Sequence, residues 1–272
     1  MSAIATFPRR RSLLAALGEL LARRELLWSL AARDIKVRYK QSVLGIGWAI
    51  AQPLSLTLLF TFVFARLVKL PTDGVPYPVF SYAGLLPWTF FASSLAFGLP
   101  SLVSNMQLLG KIYFPREIFP LAALLACLLD FAVAAGVFGL LLALYRIPFT
   151  AQMLWLPALV LVQVLFTAAI LLVTSAANVF YRDIRYVVPL VLQIGMYLSP
   201  VVYPASVVPE RFRGLYALNP MTAVIEGYRR AFLHGRAPDV FALALAGGLS
   251  LAGLAGAYLL FKRAEMRFAD VI

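Results

Sequence analysis

Long apolar stretches alternate with short charged segments along the whole chain. Five stretches lack Asp, Glu, Lys and Arg: Gln41 to Ala65, Gly74 to Gly110, Ile147 to Tyr181, Tyr186 to Pro209 and Val240 to Phe261. A sixth, Ile118 to Tyr145, is interrupted only by Asp130. Each stretch exceeds the roughly 20 residues that a helix needs to cross a bilayer. The pattern predicts an all-α integral membrane protein with six transmembrane helices.

The segment before the first apolar stretch has a different pattern. Residues 12 to 31 place apolar side chains at helical spacing, with Glu19, Arg23 and Glu25 toward another side. We expect an amphipathic helix that lies in the headgroup plane, and a helix packed on a partner protein is the alternative. The single membrane domain is thus divided into an N-terminal cytoplasmic segment (1–40), a six-helix membrane region (41–261) and a cytoplasmic tail (262–272).

Composition supports a membrane protein, and the basic residues predict its orientation. Of the 272 residues, 62% are hydrophobic and 13% are charged, whereas soluble domains average about 25% charged residues. Cytoplasmic connections collect Lys and Arg. With both termini inside, the cytoplasmic segments hold 16 of the 24 Lys and Arg residues. Orientation in a membrane therefore explains the net charge of +12 without nucleic acid.

The connection between the second and third spans contains two prolines. Pro115 and Pro120 forbid one continuous helix through residues 105 to 120. We expect a short helix that ends near Phe114 and lies across the cytoplasmic ends of the spans.

The segment from Ser199 to Gly235 predicts short helices on the outer side. Asn219 and Pro220 supply a helix cap followed by proline at the first helical position. The helix that follows, to about His234, is too short and too charged to span. We expect these helices to re-enter the membrane, which is tolerated where protein or an aqueous cavity covers them.

The sequence carries no recognisable catalytic or metal-binding motif. The G-x-x-x-x-G-K-[ST] pattern that cradles ATP phosphates is absent, and so is the G-x-S-x-G nucleophile pattern. The single His234 has no Cys or acidic cluster beside it in sequence. Cys127 is the only cysteine, so it has no partner for an intrachain disulfide. These absences favour a transport subunit over a membrane enzyme.

Asp130 is the one ionisable residue well inside a predicted span. Such a residue is a functional candidate by default, because charge in hydrocarbon is costly. A proton-driven transporter would usually carry several such acids. Two interpretations stay open for Asp130, a part of the translocation path or a helix-packing interaction.

Five strings together resemble the type-2 ABC exporter permeases that move lipid-linked polysaccharides, in the O-antigen branch. They are RDIKVRYKQSVLGIGWAIAQPL (33–54), Tyr113-Phe114-Pro115-Arg116, NVFYRDIRYVVP (178–189), YLSPVVYP (197–204) and LNPMTAVIEGYR (218–229). Their order and spacing are specific, although each string alone is short. The resemblance extends along nearly the whole chain.

The resemblance implies a homodimer bound to two copies of a nucleotide-binding ATPase subunit in the bacterial cytoplasmic (inner) membrane. ATP and Mg would be bound by that partner, with no cofactor in this chain. The implied substrate is a polyprenyl-diphosphate-linked polysaccharide, and membrane lipids are further partners. The same fold exporting teichoic acid, capsule, a drug or a small lipid is the nearer alternative, and an ion-coupled secondary transporter is the more distant one.

The resemblance also assigns roles at the cytoplasmic surface. The family's coupling helix maps to about Asn105 to Arg116. The ATPase-coupling candidates are Asn105, Leu108, Lys111, Tyr113, Phe114 and Arg116, with Arg182, Asp183 and Arg185 in the second cytoplasmic loop. The candidates for contact with a lipid diphosphate are Arg33, Lys36, Arg38 and Lys40, because phosphate oxygens favour Arg and Lys. Topology alone also predicts that second group.

Aromatic residues are candidates for a sugar pathway, because sugars present flat apolar faces. The chain has 20 Phe, 12 Tyr and 4 Trp. The candidates for the translocation path are Tyr82, Trp88, Phe90, Phe91, Tyr197 and Tyr203, together with Asp130. Aromatic belts at the membrane interfaces are the alternative explanation.

Overall fold

All of the regular secondary structure in the described part of the chain is helical. A computed structural model describes residue 18 and residues 22–40, 42–70, 72, 74–105 and 115–268. Within these ranges, helices α1 to α10 have the bounds Arg24–Tyr39, Trp48–Phe60, Tyr77–Gly98, Ser101–Ser104, Ile118–Leu144, Leu156–Phe180, Ile184–Leu198, Glu210–Leu218, Pro220–Tyr228 and Val240–Glu265. Short 3-10 turns occupy Gly45–Gly47, Ala151–Trp155 and Ala205–Val207, and π-helical turns occupy Thr61–Leu67 and Arg229–Leu233.

Five helical segments of the described ranges are long and apolar enough to cross a bilayer. They are Gly45–Leu67, Tyr77–Gly98, Ile118–Leu144, Ala151–Phe180 and Val240–Glu265. The all-α membrane fold is therefore confirmed. The remaining predicted span, Tyr186 to Pro209, overlaps the apolar helix α7, but the 15 residues of α7 extend only about 22 Å at 1.5 Å per residue. The chain leaves the helix at Ser199, directly before Pro200.

The capping prediction for the outer helix is confirmed. The side chain of Asn219 accepts a hydrogen bond from the backbone N–H of Met221 at 3.1 Å, and Pro220 is the first helical residue. Helix α9 passes into the π-helical turn that ends beside His234. The last long helix starts in the same way, because Asp239 accepts from the N–H of Ala242 at 3.0 Å. Side-chain oxygens thus satisfy helix N–H groups that have no backbone partner.

Helix α1 runs further than the amphipathic pattern predicted. The pattern ended at Ala31, whereas the helix continues to Tyr39 because glycine and proline are absent until Gly45. Of the predicted start, residues 12–17 and 19–21 lie outside the described residues. Helix α1 packs along α5. The headgroup position of this segment and the domain division at residues 40 and 261 stay predictions.

Helix α3 lies at the centre of the bundle. It is the most buried candidate span and contacts α2, α5, α6, α7 and α9. Gly98 permits the close approach of α6, since a Cβ there would lie 2.6 Å from the side chain of Leu171. Helices α6 and α10 pack along each other, while α2 and α7 lie at the edge with most of their surface exposed.

The described parts of the segments predicted to be cytoplasmic lie at one end of the bundle. One buried apolar cluster contains Leu30 of α1, Leu102 of α4, Ile118 of α5, Val179 of α6 and Phe268 after α10. The N-terminal helix, both predicted cytoplasmic connections and the end of α10 therefore share one face. This supports the common side predicted for the two ends of the described chain.

Candidate functional site

The four basic residues from Arg33 to Lys40 lie on two sides of α1. One side faces the bundle, and the other is exposed. Lys36 and Lys40 are exposed, and Arg33 is half-exposed with its guanidinium 2.9 Å from the carboxylate of Asp34. Arg38 points the other way, into the bundle, with 15% of its side chain exposed. Three of the four predicted diphosphate contacts therefore share an outer surface, and the fourth has a partner inside the protein.

That partner is Asp130 of α5. Arg38 Nη1 donates to Asp130 Oδ2 at 2.5 Å, and the Tyr39 hydroxyl donates to Asp130 Oδ1 at 2.5 Å. The Arg38 guanidinium also lies 3.8 Å from the ring centroid of Phe97 and 3.7 Å from the Cys127 sulfur. Each oxygen of the partly buried carboxylate thus has a donor, and the arginine charge has both an anion and an aromatic face.

The cluster lies near the middle of α5, the third of the five candidate spans. Asp130 is twelve residues into α5, or about 18 Å along the helix axis at 1.5 Å per residue. An unpaired carboxylate at that depth would be costly. The last turn of α1 brings the two donors that remove this cost, which supports the packing interpretation of Asp130.

The phenol of Tyr39 is kept protonated by this environment. Removal from water, and then the hydrogen bond to the Asp130 carboxylate, raise the pKa of Tyr39 to about 12. Near neutral pH the hydroxyl is therefore a stable donor to Asp130.

A cavity of about 210 Å³ opens beside the cluster. It lies between the end of α1 and helices α2, α3 and α5. Its lining includes Arg38, Tyr39, Trp48, Gln52, Thr89, Phe90, Ser93, Phe97, Asp130 and Phe131. The wall combines hydroxyl and amide groups with aromatic rings, while Asp130 neutralises the arginine charge. A cavity of this size can hold several water molecules or one small polar headgroup, but not a polymer.

The two predicted coupling connections meet the bundle at the same end. Asn105 Nδ2 donates to the carbonyl of Ser101 at 2.7 Å and so caps α4. Leu108, Lys111, Tyr113 and Phe114, and the predicted short helix with them, lie outside the described residues. Arg116 contacts the end of α10, as its Nη1 donates to the Glu265 carbonyl at 3.2 Å.

The second connection presents its charges to the outside. Arg182 and Asp183 are exposed in the turn between α6 and α7, and Arg185 is exposed in the first turn of α7. The Arg185 guanidinium lies 4.8 Å over the ring of Tyr186. An exposed charged turn suits a contact with another protein, and the ATPase-coupling role of both connections stays a prediction.

The predicted pathway aromatics fall into a buried and an outer group. Tyr82, Trp88, Phe90 and Phe91 are buried in the core of this single chain. The Tyr82 hydroxyl donates to the carbonyl of Ala134 at 3.0 Å, and Phe90 also faces the cavity beside the Asp130 cluster.

The outer group comprises two tyrosines. Tyr197 has 51% of its surface exposed at the end of α7. Tyr203 donates to the Tyr197 carbonyl at 2.8 Å and pairs with the Tyr216 hydroxyl at 2.6 Å. Burial raises the pKa of Tyr203, so its hydroxyl remains protonated. The pathway assignment of both groups stays a prediction.

Arg229 connects several elements of the fold, although the sequence pattern predicts it only as a charged residue of the outer helix. Its side chain is 2% exposed. Nη1 donates to the Tyr203 carbonyl at 3.0 Å and to Glu226 Oε1 at 2.9 Å, and Nη2 donates to the Val201 carbonyl at 2.7 Å. The guanidinium lies 3.8 Å over the ring of Phe80. It therefore fixes the segment after α7 against both α3 and α9.

A second residue that the sequence reasoning missed is Glu117, at the start of α5. Its carboxylate is buried and lies 2.7 Å from Lys262 Nζ and 3.1 Å from the Tyr258 hydroxyl of α10. The signal available in the sequence was a carboxylate directly before an apolar span. Nothing in the sequence pointed to its partner 145 positions later.

Metal binding has no support in the described ranges, where no group of three or more His, Cys, Asp and Glu side chains could hold an ion. The chemistry of the site is thus that of ion pairs, hydroxyls and aromatic surfaces.

Comparisons with known proteins give the chain its family. A family model described as ABC-2 type transporter matches residues 25–233. The O-antigen export system permease protein RfbA of Klebsiella pneumoniae is 32% identical over 252 residues, which cover 91% of this chain and 95% of that relative. The protein of the same name from Myxococcus xanthus is 31% identical, with 93% and 98% covered. The polysialic acid transport protein KpsM of Escherichia coli is 22% identical, with 76% and 81% covered. The chain belongs to the ABC-2 type transporter family of membrane proteins.

Proposed function

We propose that this chain is the permease subunit of an exporter that carries a lipid-linked polysaccharide of O-antigen type across the bacterial cytoplasmic membrane. The observation that carries the proposal is the similarity to O-antigen export permeases of two genera over more than nine tenths of each chain. The similarity to a polysialic acid transport protein supports capsule polysaccharide as the second candidate cargo.

Energy for export comes from a separate ATPase subunit, which supplies the ATP and Mg sites. The family membership and the absent phosphate-binding motif in this sequence support that division. The ATPase subunit docks on the end of the bundle that carries two connections. One is the charged segment with Arg182, Asp183 and Arg185, and the other is the connection between Asn105 and Arg116. Exposed charges on the charged segment suit a protein partner better than lipid tails.

The exposed basic surface of α1 is the contact for the lipid diphosphate. A shallow groove on this helix is lined by Arg33, Lys36 and Lys40. Arg38 is excluded from that contact and positions α1 through Asp130 instead. The Asp130 carboxylate accepts from an arginine and a tyrosine of the same chain, which favours a packing role over a role in ion-coupled transport.

Two copies of the chain pair through the edge helices α2 and α7. Helix α2 exposes Ser55 outside the cavity, and α7 exposes Gln193 and Tyr197. Polar side chains in a membrane normally face protein or a water-filled path rather than lipid. In the homodimer α7 acts as the sixth span, continued by the segment after Ser199, and both ends of the chain face the cytoplasm.

The test uses a cell that makes lipid-linked O-antigen but lacks its own permease. Expression of this chain with its ATPase subunit should place polysaccharide on the cell surface, and the two proteins should copurify. Replacing Arg182, Asp183 and Arg185 together by Ala should abolish copurification, while the matched outer variant R211A/R213A should keep it. A chain that copurifies with no nucleotide-binding subunit would overturn the proposal.

A second measurement tests the basic surface of α1. The triple variant R33Q/K36Q/K40Q should assemble with the ATPase and yet lose export and binding of a polyprenyl diphosphate. Binding that is equal in R33Q/K36Q/K40Q and R211Q/R213Q would remove α1 from the substrate site.

A further inference from the structure

The end of α10 contacts both connections that face the proposed ATPase. Lys262, Glu265 and Phe268 contact residues of these connections, and we call these three residues the C-terminal clasp. None of them belongs to the coupling residues predicted from the sequence.

The clasp holds the first connection at two successive residues. Lys262 Nζ lies 2.7 Å from the Glu117 carboxylate and 2.9 Å from that of Glu265. Glu265 Oε1 accepts from the backbone N–H of Arg116 at 3.3 Å, and the Glu265 carbonyl accepts from Arg116 Nη1 at 3.2 Å. Residues 116 and 117 thus contact residues one helical turn apart on α10. Two attachment points fix the angle between the connection and the helix, which one contact would not do.

The burial of Glu117 makes this attachment specific. The Glu117 side chain is 2% exposed, and a buried carboxylate requires a charged or hydrogen-bonding partner. Lys262 and the Tyr258 hydroxyl are those partners. An apolar pair of similar size could join α5 and α10 as firmly. What the ion pair adds is that Glu117 pairs with Lys262 at one defined position along α10.

Phe268 extends the clasp to the second connection. Its ring is fully buried and lies 5.5 Å from the Arg116 guanidinium. It also contacts the ring of Phe180, the last residue of α6, with 5.6 Å between centroids. The charged turn with Arg182 begins two residues after Phe180. One side chain therefore contacts the end of the first connection and the start of the second.

We infer that the C-terminal clasp joins the two connections into one mechanical unit, so that a displacement imposed at one is transmitted to the other and to α10. The inference rests on the proposed ATPase partner for its purpose, while the joint itself is a property of this chain. Lys262, Glu265 and Phe268 are positioning residues, since they act through Arg116, Glu117 and Phe180.

A distance measurement tests the joint without any partner. Spin labels at S104C and R182C, in a C127A background, report the separation of the two connections in the purified chain. The distribution of distances should be narrow in this background and broader in F268A and in E117Q/K262Q. The matched control is R263Q, an exposed residue of the same turn, and it should leave the distribution narrow. Unchanged distributions in both clasp variants would overturn the inference.

A transport measurement tests the purpose of the joint. In vesicles that contain the chain and its ATPase, F268A and E117Q/K262Q should assemble and hydrolyse ATP, yet consume several-fold more ATP per exported molecule. Export and hydrolysis that fall together, in proportion to the assembled complex, would overturn the coupling role. If the parent chain neither binds an ATPase nor exports, the proposed function fails, and the distance measurement still decides whether the clasp exists.

Discussion

Arg38 and Asp130 are 92 positions apart in sequence, and their side chains meet at 2.5 Å between the N-terminal helix and the middle of α5. The pair couples a helix outside the candidate spans to the interior of one of them. Because Asp130 also accepts from Tyr39, one carboxylate binds two residues of the last turn of α1.

Removal of one charge of this pair should lower the free energy of unfolding more than removal of both charges. D130A leaves the Arg38 charge in a poorly solvated place, and we expect a loss of about 3 kcal/mol in the free energy of unfolding. The double variant R38M/D130A removes both charges and should be closer to the parent chain. Thermal unfolding in detergent micelles measures all members of the cycle.

The surface pair Arg33 and Asp34 on the same helix is the matched control. Its side chains are 38% and 25% exposed, and such pairs contribute about 0–1 kcal/mol. A coupling energy for Arg38 and Asp130 no larger than that of Arg33 and Asp34 would show that the buried pair does not hold α1.

The hydroxyl of Tyr39 makes stability depend on alkaline pH. Its pKa is about 12 in the folded chain and 10.0 ordinarily, so the folded state binds the proton more tightly than the unfolded state. The stabilisation from this group is complete below pH 10 and is lost as the pH rises toward 12. The stability difference between the parent chain and Y39F should therefore be constant below pH 10 and shrink above it. A difference that stays constant through this window would contradict the assignment.

The close approach of α3 to the segment after α7 requires glycine at position 84. A Cβ on Gly84 would lie 2.3 Å from the Val201 carbonyl oxygen and 3.0 Å from Arg229 Nη2. A backbone carbonyl cannot rotate away as a side chain can, so G84A should lose at least the 1–3 kcal/mol or so of an overpacked core. Thermal unfolding of the purified variant measures the loss.

Gly136 of α5 is the control for this substitution. A Cβ there would have no heavy atom within 4 Å, and alanine favours a helix over glycine. G136A should therefore unfold at the same temperature as the parent chain or higher. Equal losses in the two variants would indicate that helix geometry, rather than the contact with Val201, decides the effect.

The long spans could be predicted from the sequence because a helix that crosses a bilayer requires a minimum number of consecutive apolar residues. A stretch of about 20 uncharged apolar residues indicates a span whatever it packs against. This criterion predicted the five long helices. The criterion says less about Tyr186 to Pro209, where the helix ends at Leu198. Val201 and Val202 after it are buried inside the protein, and hydropathy does not separate burial in protein from burial in lipid.

The contacts within the candidate site could not be predicted in the same way. Membrane orientation alone already explains the basic run that contains Arg38, so its charge does not point to a partner inside the bundle. Whether such a residue faces water, lipid or a buried carboxylate depends on residues far away in sequence, such as Lys262 for Glu117. The local cap at Asn219 was predictable because donor and acceptor are two residues apart.

Substitution of Arg229 tests whether the planar guanidinium or positive charge alone holds the segment after α7. A guanidinium can donate to the Val201 and Tyr203 carbonyls and to Glu226 while its plane stacks on Phe80. An ammonium keeps the charge but lacks the planar fork, so R229K should lose at least one charged hydrogen bond, or about 2 kcal/mol of stability.

The neighbouring Arg230 is the control for that substitution. Its side chain is 43% exposed and lies 3.9 Å from Asp239, so R230K should change stability by less than about 0.5 kcal/mol. Hydrogen exchange of residues 199–204 should quicken in R229K and stay unchanged in R230K, because the guanidinium of Arg229 binds the Val201 and Tyr203 carbonyls directly. Equal exchange in the two variants would mean that packing by Phe80 and Gly84 holds the segment and that positive charge at position 229 is sufficient.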